Sequence, residues 1–237
     1  MPASAADAPC PEQAFNATAL KWHTCAWLLL PVLIFLAGWM HWYAALPLML
    51  LTAAGLAPRK CKEPQTRDSL PAFPLFTRSS FLALAAFAAL MTLSGWGEWV
   101  NQHPDHIVRN ACLRELVASP WPVIFPDGNM LVYNTGFWLV PALAGKLAGL
   151  DAARVFVVLW GTWGLFLTWL WLCVFSGRRS LLLALLMAAF GSLLNFQCWL
   201  GLDLFRLHYF GTAEQIMCSA NASIPVLLFF IFLASGR

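Results

Sequence analysis

LVYNTGFWLVPALAGKLAGL, residues 131–150, is long enough to cross a bilayer yet carries Asn134, Pro141 and Lys146. A helical crossing takes about twenty apolar residues for a hydrocarbon core of about 30 Å. Length alone therefore permits either a span or a helix lying along the surface. Charge separates the two readings. If the segment crosses, Arg178 and Arg179 fall outside, against the bias of Lys and Arg towards short cytoplasmic loops. If both of its ends stay external, that pair falls inside. The interfacial or re-entrant reading fits the charges better, and a plain crossing is the alternative.

The rest of the chain frames this choice. Its 237 residues are 60% hydrophobic and 11% charged, with a mean hydropathy of +0.69, a balance that excludes an ordinary soluble domain. The expected fold is all-α: a polytopic transmembrane helix bundle of about six spans, with external juxtamembrane helices. The apolar runs are 22–39, 42–57, 80–97, 154–176, 181–199 and a short one at 224–234. The first two form a hairpin, because a cleaved signal would want a positive start and a shorter apolar core.

Residues 58–79 hold Arg59, Lys60, Lys62, Arg67 and Arg78 against Glu63 and Asp68, which makes this loop cytoplasmic and the N-terminus with it. The loops 98–153 and 200–222 are then external, in what is expected to be a plasma or bacterial inner membrane. The net charge of +3 reflects this bias and gives no reason to expect nucleic acid. Seven cysteines show no CxxC pairing and read mostly as small apolar fillers; only Cys112 and Cys218 fall in external loops, where a disulfide is permitted. Trp22, Trp39, Trp42, Trp96, Trp99, Trp121 and Trp199 lie near span ends and read as an interfacial belt. Asn16 and Asn221 match a glycosylation pattern short enough to arise by chance.

Two acids stand out. Asp105 follows His103-Pro104 and is placed to cap a helix that Pro120 and Pro122 end. Val108, Cys112, Leu113, Leu116 and Val117 gather on one side of that helix, interrupted by Arg109, as suits a helix at headgroup level. Beyond a cap, Asp105 can serve as a general base or, with His103 and His106, as a metal ligand. Asp203 lies in Gly201-Leu202-Asp203-Leu204-Phe205, and a carboxylate so deep in apolar sequence is a functional candidate, though it can also face water or pair with Arg206. Arg109, Arg114 and Arg206 can clamp a phosphate, or simply meet lipid headgroups. His208 and Glu214 share the second loop with Asp203 and can extend the site or merely border it.

The order of these features resembles the GT-C superfamily of membrane glycosyltransferases, which includes protein O-mannosyltransferases and aminoarabinose transferases. The likeness runs from His103 to Arg179. It comprises Pro104-Asp105 opening a juxtamembrane helix, then Arg114-Glu115-Leu116-Val117-Ala118-Ser119 and Trp121-Pro122. A second, aromatic-rich helix follows over 133–149, then Ala152-Ala153-Arg154 opening the next span, with Gly201-Leu202-Asp203 in the next external loop. The resemblance implies a sugar donor on a polyprenyl phosphate, with Asp105 as base or metal ligand. Asp203 would hold the metal, Mg or Mn, or the donor phosphate, and the acceptor is unspecified. His106 departs from the pattern, standing where many relatives carry a second acid.

The chain divides into a cytoplasmic N-terminus with an extra hairpin (1–57), a basic loop (58–79) and a GT-C-like region (80–237). That region is expected to be an N-terminal portion truncated at its C-terminal end. Two other classes compete: an ion-coupled transporter or permease, and a non-catalytic membrane scaffold or truncated remnant.

Overall fold

The computed structural model describes residues 14–15, 17–56, 73–74, 77–100, 102, 104–189, 221, 223–230 and 233. Among them the regular structure is helical apart from one two-residue pairing and an isolated antiparallel bridge between Ile124 and Met130. In order it runs β1 (Ala14–Phe15), α1 (Ala17–Trp39), α2 (Trp42–Leu56), β2 (Phe73–Pro74), α3 (Arg78–Leu93), α4 (Pro104–Ala118), α5 (Gly136–Ala148), α6 (Leu150–Ser176) and α7 (Leu181–Ala189). Residues 223–230 are helical as well. β1 and β2 pair antiparallel, Ala14 opposite Pro74 and Phe15 opposite Phe73.

Two helices among the described residues are long and apolar enough to cross a membrane: α1 over Ala19–Trp39, and α6. Among the described residues the expected six spans are not confirmed. α2, α3 and α5 are apolar but shorter. The run expected at 80–97 is helical only from Arg78 to Leu93, 16 residues, or about 24 Å at 1.5 Å per residue. Ser94 closes that helix, and Gly95 and Gly97 then turn the chain at positive φ. Of the run at 181–199, only its first half is described.

α6 is the axis of the fold. Val157, Leu165, Phe166, Trp169 and Trp171 are buried on several of its sides, the pattern of a helix enclosed by others. Met91 of α3 sits so close to Gly161 that a Cβ there would lie 2.2 Å from its methyl carbon. Trp27 of α1 stacks on Trp160 with ring centroids 4.9 Å apart, and donates its indole N–H to the Trp160 carbonyl at 3.1 Å. Trp171 donates to the Thr24 hydroxyl at 2.9 Å. Each ring thus buries a large apolar surface while its polar atom finds a partner.

These contacts fix direction. Thr24, early in α1, meets Trp171, late in α6, whereas Trp27 meets Trp160, nearer the start of α6, so the two helices run antiparallel. α3 is also antiparallel to α6. Arg179, just after α6, donates to the hydroxyls of Thr77 and Ser80 at the start of α3, at 3.2 and 3.1 Å. At the other end, Glu98, just after α3, pairs with Arg154 in the first turns of α6.

Residues 99–149 therefore leave and return at one end of the bundle, called here the Glu98 end. α5 alone does not carry the chain from one end to the other, and α4 is too polar to make a compensating crossing, with Asp105, Arg109, Arg114 and Glu115 along it. α5 keeps both of its ends at the Glu98 end: Trp138 stacks on Trp96, and Gly145 meets Ala153. Gly145 draws α4, α5 and α6 together: a Cβ there would fall 2.5 Å from Val117 and 2.8 Å from Ala153. Gly149, at φ 89 with open space around it, breaks α5 from α6, a conformation that only glycine adopts freely.

Candidate functional site at the Glu98 end

Glu98 emerges from the turn after α3. Its φ of 68 is the only positive value at a non-glycine residue among those described, a conformation that costs an L residue about 1–2 kcal/mol. Such strain persists where surrounding contacts fix it and is concentrated at functional positions. Here the contacts are charged. The Glu98 side chain is only 9% exposed, and its Oε2 accepts from Arg114 of α4 at 2.6 Å and from Arg154 of α6 at 2.5 Å. Arg154 also donates to Asp151 at 2.7 Å. One carboxylate oxygen thus ties the α3 turn, α4 and α6 together.

The other oxygen, Oε1, is buried and has no hydrogen-bond partner among the described residues. A dry, unpaired acceptor of this kind costs about 1–3 kcal/mol. Burial pushes the Glu98 carboxyl up, but the hydrogen bonds and charges of Arg114 and Arg154 outweigh it and hold the group below its ordinary value.

α4 begins at Pro104, whose missing N–H is harmless in a first turn. Asp105 therefore lies inside the first turn and not at the cap position expected for it. Its carboxylate still favours the positive end of the helix. The Asp105 side chain is 54% exposed, and the Arg109 guanidinium lies 3.7 Å away, one turn further on.

His106 points the other way, because successive helical side chains diverge by about 100°. It is buried, with its ring edge-on to Trp96 at 5.2 Å. Arg109 is buried as well, 5.7 Å over the Trp96 ring. Asn110 donates to Gln102 at 2.7 Å, and Gln102 donates to the carbonyls of Gly95 and Val100 at 2.9 Å each.

The inner face of α4 thus runs through His106, Arg109, Asn110, Leu113 and Leu116, while Val108, expected on that side, is exposed. The reason is Trp96. It belongs to the core and not to an interfacial belt: it is 1% exposed and stacked on Trp138 at 5.4 Å, so it offers a π face to a histidine and an arginine. At the far end of α4, Lys146 of α5 donates to the Ser119 carbonyl at 2.6 Å and lies 5.0 Å over Trp121, closing the helix with a cation. Burial pushes the Cys112 thiol up to about 11, in keeping with a core filler.

The structure brings Arg114 to Glu98 and Arg109 to Asp105. Asp203, Arg206, His103, His208, Glu214 and Cys218 lie outside the described residues, so the pairing of Asp105 with Asp203 falls there too. Among the described residues no group of three His, Cys, Asp or Glu side chains is arranged to hold a metal ion. Asp105 and His106 point apart.

Sequence reasoning passed over Glu98 and Asp151 as site residues, and took Arg154 only as the opening of a span. A usable signal was present: an acid directly after Gly95-Trp96-Gly97, where two glycines at the end of an apolar run announce an unusual turn. Comparison with protein-family models, curated proteins and solved structures gives no match.

Proposed function

We propose that this chain is an integral membrane glycosyltransferase that moves a sugar from a polyprenyl-phosphate donor to an acceptor at the Glu98 end of the bundle. In this reading that end is external, and the N-terminus and residues 58–79 are cytoplasmic, in a plasma or bacterial inner membrane. A membrane setting is supported by large apolar side chains left exposed on the helices, such as Leu51, Phe81, Leu82, Phe156 and Leu159; a water-soluble surface rarely tolerates so many together.

The observation that carries the proposal is the path of residues 99–149. They leave and return at one end of the bundle and bring Asp105, Arg109 and Arg114 to it on a single helix. A lipid-linked donor would keep its chain in the bilayer and present its phosphate at that level. The acceptor hydroxyl oxygen attacks the anomeric carbon as Asp105 takes its proton. The bond from that carbon to the phosphate oxygen breaks, and the phosphate leaves with the electron pair. Arg114, whose side chain is 55% exposed, and Arg109 would neutralise the charge that develops there. A divalent ion, Mg or Mn, would need Asp203 beside Asp105, and the step as drawn does not route through one.

The test is transfer of a labelled sugar from a polyprenyl-phosphate donor by the purified protein in lipid vesicles. Asp105→Asn should lower the rate by about 100-fold or more without loss of folded protein. Unchanged transfer would remove Asp105 from the chemistry.

A second reading, a non-catalytic membrane scaffold, has one observation in its favour: several polar groups at this end already bind each other, as Glu98 does Arg114 and Arg154, and Lys146 the end of α4. It predicts no transfer by any variant. An ion-coupled carrier is less well supported, because the charges of α6 all lie in its first turns, at Asp151 and Arg154.

A further inference from the structure

Glu98 is more than a brace. A brace needs the carboxylate to be satisfied, and this one is satisfied at one oxygen only. Arg114 and Arg154 both bind Oε2, while Oε1 is buried and has no partner among the described residues. The residue is also held at φ 68, where a glycine would fit without strain. Strain and an unmet acceptor at the same residue mark a position kept for something other than stability.

The chemistry of the missing partner is constrained. It must donate a hydrogen bond, because an ionised carboxylate only accepts. Two guanidinium groups beside it disfavour a metal cation. A neutral hydroxyl meets both conditions.

Two exposed side chains flank Glu98. Arg114 is the exposed member of the node, with 55% of its side chain in the open against 24% for Arg154, so a ligand reaching Glu98 meets Arg114 first. Beside Glu98, Trp99 is 52% exposed and its ring lies against the Gly97 turn, 3.0 Å from where a Cβ there would be. An open indole face next to a hydroxyl-seeking carboxylate and an arginine suits a sugar ring, whose C–H face packs on an aromatic while its hydroxyls donate.

We propose that Glu98, Trp99 and Arg114 form a sugar-hydroxyl subsite, in which Glu98 Oε1 accepts a hydrogen bond from a ring hydroxyl of the substrate. This rests on the glycosyltransferase reading above and deepens it. The sugar comes either from the lipid-linked donor or from a glycosylated acceptor, and the two sources are separable.

The experiment measures binding to the purified protein in nanodiscs with three probes: farnesyl phosphate, mannosyl-phosphoryl-farnesol and methyl mannoside. For a donor sugar, the mannosyl probe should bind about tenfold tighter than farnesyl phosphate, and Glu98→Gln should erase that difference while farnesyl phosphate binds as before. For an acceptor sugar, methyl mannoside should bind without displacing farnesyl phosphate, again lost in Glu98→Gln. Trp99→Ala, a change at an exposed side chain, should weaken the same sugar-dependent binding and serves if Glu98→Gln fails to fold. If farnesyl phosphate binds but no probe shows a sugar-dependent gain, or the gain survives both variants, the subsite is overturned and the transferase reading stands. If no probe binds the wild-type protein, the transferase reading itself falls, and the subsite with it.

Discussion

Asp105 and Glu98 lie seven residues apart at the same end of the molecule, and they are held in opposite ways. Asp105 sits in the first turn of a regular helix, more than half exposed, with one arginine 3.7 Å away on its own helix. Glu98 sits in a strained turn, nine-tenths buried, and is gripped by arginines from two other helices. The first can change without the fold noticing, and the second cannot. Glu98 fixes α4 through one carboxylate oxygen and keeps the other for a ligand, whereas Asp105 is more than half exposed and its ion pair with Arg109 braces no second helix.

The sharpest way to break this contrast is through activity. Asp105→Asn should lower sugar transfer by about 100-fold or more and leave the melting temperature nearly unchanged. If Asp105→Asn instead unfolds the protein, the division of labour is wrong.

Stability should show the reverse order. Glu98→Ala leaves the half-exposed Arg114 and the partly buried Arg154 without their shared acceptor, though Arg154 keeps Asp151, and should cost about 1–3 kcal/mol. Asp105→Ala should cost less than about 1 kcal/mol. Comparable losses in chemical denaturation would erase the distinction.

Packing gives a comparable effect. Gly145→Ala places a methyl 2.5 Å from Val117 and 2.8 Å from Ala153 and should destabilise by about 1–3 kcal/mol. Gly161→Ala meets only the flexible end of Met91 and should cost less. Equal melting temperatures for the two variants would argue that α4, α5 and α6 do not close around Gly145.

pH gives the smallest and most specific effect. The folded-state value of Glu98 is depressed below 4.5, so its contribution to stability is fully present above that value and disappears as pH falls through the folded-state value. Melting temperature should be level from neutral pH to about pH 5 and then fall, and the part of that fall due to Glu98 should be missing in Glu98→Gln. An identical acid profile for both proteins would show that Glu98 ionisation does not support the fold.

The sequence carried the all-helical class in its apolar runs, and the Arg178–Arg179 pair was enough to favour a surface path for residues 131–150. What could not be read from the residues was which neighbours share a place. Asp105 was conspicuous because a proline and two histidines flank it, while Glu98 looked like one polar residue at the end of a greasy run.

Its importance depends on Arg114, sixteen residues later, and on Arg154, fifty-six residues later, and no local pattern announces contacts at that range. Trp96 misled for a similar reason. An indole at a span end reads as an interfacial anchor until Phe137, Trp138 and His106 are seen packed around it.

Side-specific labelling in sealed vesicles tests the arrangement most directly, using single cysteines at Asp127→Cys and Arg178→Cys in a background with the seven native cysteines replaced. Asp127 belongs to the exposed hairpin between α4 and α5, and Arg178 follows α6. An impermeant thiol reagent should reach position 127 from one side only and position 178 from the other. Labelling of both from the same side would contradict the return of residues 99–149 to the Glu98 end, and with it the shared external face on which the proposed chemistry depends.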